Sequence, residues 1–426
     1  MPPLGGVMEI NMTILWICNG PIPRAAECFN VANNPKEGWL VTVADELEKY
    51  NNANFYIAFV STQIGEGVKY LQDGGITFIG INYADKNEYE KSEIIKNMIQ
   101  DVDPNVIHIW GTESMHSYYV VKAAIKLGII DRVVASIQGL LSMYAYHYMA
   151  GIPGNIQLVP TIRDIVRNDT LLHQQEQFLQ RGNYEKSTIQ MLKNVIGRTF
   201  WDKACVKLLN PNINYYFNNE TLRKGFYENT WDIQKCVRHR IFASQAQYPI
   251  KGFHYLIEAV ALLKNEYSDI KVVVAGANNS FKKGILDTAY GRYLKKLIRE
   301  YNLQNNIEYK GMLGESEIIK EYLMSEIFVS PSVIENSPNS VGEAMLLGMP
   351  VISSNVGGVS DLLVHDQEGY LYQSDAPYLL AYYIKQLFEN DKLKCEFGKN
   401  AKVHARKTHD KNINMTQLNN IYKAIG

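Results

Sequence analysis

Cysteine is scarce in this chain, with five in 426 residues, and Cys18, Cys28, Cys205, Cys236 and Cys395 are widely scattered. They show no metal-binding spacing, and an odd count argues against a disulfide framework. A reducing compartment, the cytoplasm, is therefore expected. Long apolar runs are also missing. None approaches the roughly 20 residues that cross a bilayer. The first eleven residues have neither a basic start nor an apolar stretch, so no secretory leader is expected. Charge of one sign is absent as well: 43 Lys and Arg stand against 44 Asp and Glu, a net charge of -1. That balance carries no nucleic-acid footprint, although it permits a local basic patch. No Ser-His-Asp or Cys-His arrangement, low-complexity tract or short-period repeat stands out.

What is present is ordinary for a globular protein, 46% hydrophobic and 20% charged. The length exceeds one ordinary core, so two domains are expected. The first half alternates strands and helices. Ile14-Leu-Trp-Ile-Cys18, Phe55 to Val60, Ile76 to Ile81, Val106 to Trp110 and Val133 to Ile137 read as buried strands. Leu40 to Tyr50 reads as a helix. From about Asp164 to Arg198 the chain is polar and helical, with no strand expected. The second half repeats the theme, with strands at Arg240, Lys271, Ile307, Ile327, Val351 and Gly369. This alternation predicts an α/β protein with two doubly wound, Rossmann-like domains, divided near residue 235. The domains are expected at 1–235 and 236–401, and a helical tail from about 402 to 426 follows. Ligands of such sheets bind at the carboxyl ends of the strands. Two domains facing each other would make a cleft there.

The most informative stretch runs from Ser330 to Ser354. Ile327-Phe-Val-Ser330 is a strand, and a polar loop and a short helix follow. Ser340 is expected to cap that helix, with Glu343 completing a capping box. Gly348 ends it and Pro350 prevents its resumption. Free amides at the helix start favour an anion such as a phosphate. Glu335 and Glu343 bracket that site. Diphosphate at the amides and sugar hydroxyls at the carboxylates would suit a nucleotide diphosphate sugar.

Pro331-Ser332-x-x-Glu335, then seven residues, then Glu343-Ala-Met, Gly348-x-Pro350-Val and Gly357-Gly358 resemble the signature of the retaining glycosyltransferases of family 4. The resemblance is strong from about residue 238 to 400 and weak before it. It implies the GT-B fold, with the final helix crossing back to the first domain. It also implies transfer of a hexose from a nucleotide diphosphate sugar, a UDP-sugar being favoured, to a glycan or lipid-linked acceptor of a bacterial surface polysaccharide. In that family the first Glu of the motif lies near the donor sugar and the second binds the ribose. Glu335 and Glu343 occupy those positions. Lys251, in Pro249-Ile-Lys-Gly252, matches a phosphate-binding lysine and is expected to stabilise the leaving diphosphate, which makes it catalytic together with Glu335. Asn336, Ser337, Asn339 and Ser340 would add loop donors, and Gly38 would stand in a loop approaching the diphosphate from the first domain.

The chain departs from the family in two places. Gln245 stands where many members carry a phosphate-binding Arg; Lys251 and loop amides suffice, or a cation such as Arg24 or Arg240 substitutes. Gln138 stands near where many carry a His beside the sugar. His147, among Tyr144, Tyr146 and Tyr148, is an acceptor-side candidate, whereas His108 reads as a buried strand histidine. Gly357-Gly358 with Asp361 would bring backbone close to a ligand. Asp101-Val-Asp103 precedes Pro104 at the amino end of a strand and reads as a turn, so no obligatory metal or other cofactor is expected. Arg292 to Arg299 reads as a solvated helix face, and a peripheral membrane contact is expected around Arg163 to Arg198. A nucleotide-sugar epimerase and a non-catalytic nucleotide-sugar-binding subunit remain alternatives. Acceptor identity, donor base and oligomeric state are open.

Overall fold

The computed structural model describes residues 12–32, 39–50, 54–276 and 287–426. The first sheet contains β1 (Thr13–Cys18), β2 (Asn54–Val60), β3 (Gly67–Asp73), β4 (Ile76–Asn82), β5 (Val106–Trp110), β6 (Val133–Ser136), β7 (Asn194–Gly197) and β8 (Asn214–Phe217). Their order is β3-β4-β2-β1-β5-β6-β7-β8, parallel except for β3. The second sheet contains β9 (Arg240–Ala243), β10 (Lys271–Ala275), β11 (Ile307–Gly311), β12 (Ile327–Ser330), β13 (Val351–Ser354) and β14 (Gly369–Tyr372). It is parallel throughout, in the order β11-β10-β9-β12-β13-β14. Its strands are short apolar runs such as Ile327-Phe-Val-Ser330, buried along their whole length, because helices cover both faces.

The helices of the first half are α1 (Pro23–Phe29), α2 (Trp39–Tyr50), α3 (Glu88–Val102), α4 (Met115–Lys126), α5 (Leu141–His147), α6 (Gly154–Leu158), α7 (Ile162–Val166), α8 (Leu171–Met191), α9 (Phe200–Leu209) and α10 (Gly225–Glu228). Those of the second are α11 (Phe253–Leu263), α12 (Ala289–Glu300), α13 (Glu315–Met324), α14 (Asn339–Leu347), α15 (Pro377–Glu389), α16 (Asp391–Thr408) and α17 (Lys411–Ile425).

The last helix does cross back. Met415, Leu418, Ile421 and Tyr422 of α17 pack into the core around Ile14, Trp16 and Leu47. The Tyr422 hydroxyl receives the Trp16 indole N–H at 2.9 Å and lies 2.6 Å from His108 Nδ1. His108 also lies 2.8 Å from the Ser136 hydroxyl, and burial pushes it down to about 3. It is a neutral core residue, as the strand reading expects.

The segment from α5 to the start of α8 bridges the two halves. Tyr148, Met149, Ile152 and Leu171 are buried in one core with Tyr255 and Tyr290 of the second half. Gly151 makes this possible: its φ is +72°, and a Cβ there would meet the Tyr255 hydroxyl at 2.2 Å.

Two expectations need correction, and an edge strand is unpredicted. The segment from Asp164 to Arg198 is not strand-free, because Asn194-Val-Ile-Gly197 forms β7 with all four residues buried. Four residues between polar neighbours show no periodicity to read. The edge strand β3, largely exposed, escaped notice because neither face is apolar; a two-residue Gly74-Gly75 turn pairs it with β4. Finally, Ser340 caps nothing: α14 begins at Asn339 after Pro338 and has no side-chain cap. Gly348 does end this helix, with φ +80°.

Candidate active site

The carboxyl ends of both sheets open into a cleft of about 1470 Å³. That exceeds the usual few hundred to 1,000 Å³ of a single-ligand pocket and leaves room for two substrates.

Strand β9 delivers the first group. The chain leaves it through Ser244 to Tyr248 and makes one tight turn, Pro249–Lys251. Gly252 follows with φ +62°, and a Cβ at this position would lie 1.8 Å from the Pro331 carbonyl oxygen. Only glycine lets this turn approach the loop after β12. The approach brings the Lys251 ammonium 2.6 Å from Glu335 Oε1, which also accepts the Ser332 hydroxyl at 2.8 Å. Lysine and carboxylate form one charge-paired unit at the cleft wall.

The loop after β12 is itself propped from behind. Gly357 and Gly358 lie against Glu335 and Asn336: their Cβ atoms would meet the carbonyl oxygens of those residues at 1.8 and 2.5 Å. The glycines therefore admit protein backbone, not a ligand. Asp361 accepts the Phe200 amide of the first half at 2.5 Å, likewise away from a ligand.

Helix α14 supplies the second group. Glu343 is buried and accepts from Arg223 Nε and Nη2 at 2.8 and 2.7 Å. Burial pushes its carboxyl up to about 7, against the pull of Arg223. Asn339 and Ser340, in the first turn of this helix, line the cleft. The first amides of a helix have no partner inside it, so this turn presents donors and a positive dipole end.

Gln245, Lys251, Glu335, Ser337, Asn339, Ser340, Glu343 and, from the first half, Gln138 all line the cleft. Asn336 does not. Its side chain donates to Asp202 at 3.0 Å and accepts from the Thr199 hydroxyl at 2.7 Å, so it ties the two halves together. His147 is exposed at the end of α5 and is not brought to the cleft. Gly38 lies outside the described residues. Asp103 closes α3 with φ +43°, the turn expected of it.

Neither cation considered as a substitute for the missing Arg reaches the cleft. Arg24 is held by Glu48 at 2.7 Å and Asp73 at 3.0 Å. Arg240 is buried at the start of β9, the opposite end of the strand, and pairs with Glu321. Arg223 and Arg198 do line the cleft. Arg198 pairs with Glu220 at 2.7 Å. Both arginines come from loops after first-half strands, and no local spacing ties them to Glu343 or to the loop after β12. A sequence reading could not find them.

The first-half face carries a further set at the ends of its central strands. Asn19, after β1, donates to Glu113 Oε1 at 2.6 Å. Glu113 Oε2, the Thr112 hydroxyl and Gln138 Nε2 are buried without a hydrogen-bond partner. Burial raises the Glu113 carboxyl. His116, buried and pushed down to about 4, is neutral near pH 7.

Residues 238–404 match the family described as Glycosyl transferases group 1. The chain is 27% identical over 176 residues to a D-inositol 3-phosphate glycosyltransferase of Corynebacterium glutamicum (strain R), covering 41% of this chain and 40% of that protein. It is 24% identical over 183 residues to the uncharacterized glycosyltransferase MJ1607 of Methanocaldococcus jannaschii, covering 43% and 44%. The match thus spans about two fifths of the length of these curated relatives. Among solved structures, sucrose-phosphate synthase from Thermosynechococcus elongatus superposes with a TM-score of 0.71 at 14% identity, covering 97% of this chain and 99% of that one. Anabaena Alr3699/HepE in complex with UDP and glucose superposes at 0.67 and 15% identity, covering 97% and 100%. At these identities the likeness shows the fold, and the fold is GT-B.

Proposed function

We propose that this chain is a retaining glycosyltransferase that moves a hexose from a UDP-sugar to a hydroxyl of a glycan or lipid-linked acceptor, in the synthesis of a bacterial surface polysaccharide. The observation that carries the reading is the Lys251–Glu335 pair, 2.6 Å apart on the cleft wall beside the first turn of α14. The group 1 match over residues 238–404 supports it, since that segment holds both residues. UDP and glucose occupy the HepE structure, which has the same fold.

In this reading the amides of α14 and the Lys251 ammonium hold the diphosphate. As the bond between the sugar's anomeric carbon and the phosphate oxygen breaks, the leaving group gains negative charge, and a preset cation and amides stabilise it. They supply the positive field that a bound cation would otherwise provide, so the reaction calls for no obligatory metal. Glu343 accepts from the ribose hydroxyls, and Glu335 accepts from the donor sugar while fixing Lys251. The acceptor hydroxyl attacks from the same face as the departing phosphate, whose oxygen takes its proton. Acceptor binding falls to the first-half face with Gln138. Arg223 and Arg198 supply the positive charge that Gln245 cannot.

Thermal unfolding with UDP, GDP, ADP, CDP and dTDP, with and without Mg²⁺, tests the donor site. A ligand at about 100 times its Kd adds roughly 2.7 kcal/mol to the native state. Stabilisation by UDP without metal, followed by release of UDP from a UDP-hexose only when acceptor is present, is the expected result. Binding without transfer would leave a nucleotide-sugar-binding subunit, and no stabilisation by any of the five would remove the donor site.

A further inference from the structure

We infer that α6 and α7 form a docking face for an anionic lipid bilayer. The inference rests on the bridge between the two halves and does not depend on the reading of the cleft.

Helix α7 is amphipathic the wrong way round. Its polar residues face inward. Thr161 and Asp164 are buried; the Thr161 hydroxyl donates to the Asp287 carbonyl at 2.7 Å, and Asp164 accepts the Ala289 amide at 2.8 Å. Arg163 closes the clamp on Asp164 and Asp169 at 3.0 and 2.5 Å. Its apolar residues face outward: Ile162 is 71% exposed, Ile165 63% and Val166 79%. Their i, i+3, i+4 spacing is the one that ordinarily buries a stripe in a core. Leu158 and Val159, at the end of α6, add side chains 68% and 58% exposed. Isolated apolar residues on a surface need no explanation, but five within nine residues, held outward by a polar clamp, mark an interaction face.

The charge around this face selects the occupant. Of the nearby acidic groups, Asp164 and Asp169 share Arg163 and Asp287 pairs with Lys295, which leaves one carboxylate charge uncompensated. Arg167 at the end of α7 and Arg292 and Lys296 on the solvent side of α12 are exposed and make no ion pair among the described residues. Helix α12 adjoins because its first residue, Ala289, is the one held by Asp164. The whole chain carries a net charge of -1, so this excess is local. Apolar side chains flanked by unpaired cations, on two helices of five residues each, suit insertion at an anionic interface. The face at residues 158–167 overlaps the expected membrane contact around Arg163 to Arg198 only at its start, and Arg163 itself serves the clamp.

The test is co-sedimentation of the full chain with phosphatidylcholine vesicles, with and without 40% phosphatidylglycerol, in low and high salt. The wild type is expected to bind the anionic vesicles at least tenfold better than the neutral ones, with a clear loss in high salt. The triple variant Ile162→Ser, Ile165→Ser, Val166→Ser should lose at least tenfold in binding while keeping its melting temperature. Should it fold poorly, Val166→Glu alone, at a side chain already in solvent, should weaken binding severalfold. Arg167→Gln with Arg292→Gln and Lys296→Gln should abolish the preference for anionic lipid. No vesicle binding by the wild type, or undiminished binding by the folded variants, overturns the proposal. So does a wild-type dimer that the triple variant dissolves without any vesicle binding, since a second copy would then cover the face.

Discussion

The two walls of the cleft hold their polar groups differently. On the second-half wall the charged groups are paired in advance: Glu335 with Lys251 and the Ser332 hydroxyl, and Glu343 with Arg223 reaching over from the first half. On the first-half wall Gln138 Nε2 is buried with no partner, and so, at the end of β5 and outside the cleft lining, are Glu113 Oε2 and Thr112 Oγ1. Paired groups keep their geometry whether or not a ligand is present, which suits a donor of constant chemistry. An unpaired buried polar group costs about 1–3 kcal/mol, a cost that a ligand hydroxyl can offset. That suits a wall whose ligand sets specificity.

The strongest way to break this contrast is to neutralise the paired wall. Lys251→Met and Glu335→Gln should each lower transfer by roughly 10² to 10³, the usual loss when a preset group stabilising developing charge is removed. Glu335→Gln should leave UDP affinity nearly unchanged in a calorimetric titration. Full transfer by either variant would show that the pair is structural only.

Next comes the prop behind that wall. Gly357→Ala forces a Cβ to 1.8 Å from the Glu335 carbonyl at φ +54° and should cost about 2–4 kcal/mol in urea unfolding. Gly128, with φ +72° and nothing within 4 Å, is the control in the first half. Gly128→Ala should cost only the left-handed penalty, about 1–2 kcal/mol.

The pH dependence of Glu343 is a third test. Folding holds its proton up to about 7, whereas the unfolded chain releases it near the ordinary 4.5. The folded state therefore binds more protons between those values, and stability falls as pH rises through that window, by up to about 3 kcal/mol. Glu343→Gln should reduce this slope in unfolding midpoints measured from pH 4.5 to 7.5, the remainder coming from Glu185, which burial also pushes up to about 7. Donor affinity should run the other way and rise as pH passes 7, because only the carboxylate accepts two ribose hydroxyls.

Smaller effects belong to the unpaired wall. Gln138→Ala should raise acceptor KM about tenfold, the size of one good hydrogen bond, with UDP binding intact. His147→Ala should change neither beyond twofold, since its side chain does not line the cleft. A large effect at His147 would move the acceptor to the outer end of α5.

Most of the second half was legible, since short apolar runs between turn signals are strands, and one loop-helix unit carried Glu335, Glu343 and the terminating Gly348. Lys251 was legible by its place after β9. The reading failed where the deciding contact is distant in sequence. Asn336 sits in a loop of donors yet bonds Asp202 and Thr199, more than 130 residues away. Arg223 meets Glu343 across 120 residues. β3, β7 and β8 are short or polar enough that only their neighbours in the sheet make them strands.

The sequence by itself determined the α/β alternation, the two sheets and the helix start beside two carboxylates, because these follow from local periodicity, turn residues and spacing. Tertiary structure alone decided which charges pair, which glycines admit backbone and which side of α7 faces solvent. Those outcomes depend on which chain segments are brought within 3 Å of one another. The polar clamp of Thr161 and Asp164 shows why: a spacing that would ordinarily bury Ile162, Ile165 and Val166 was overruled by two hydrogen bonds to a helix start 125 and 126 residues away.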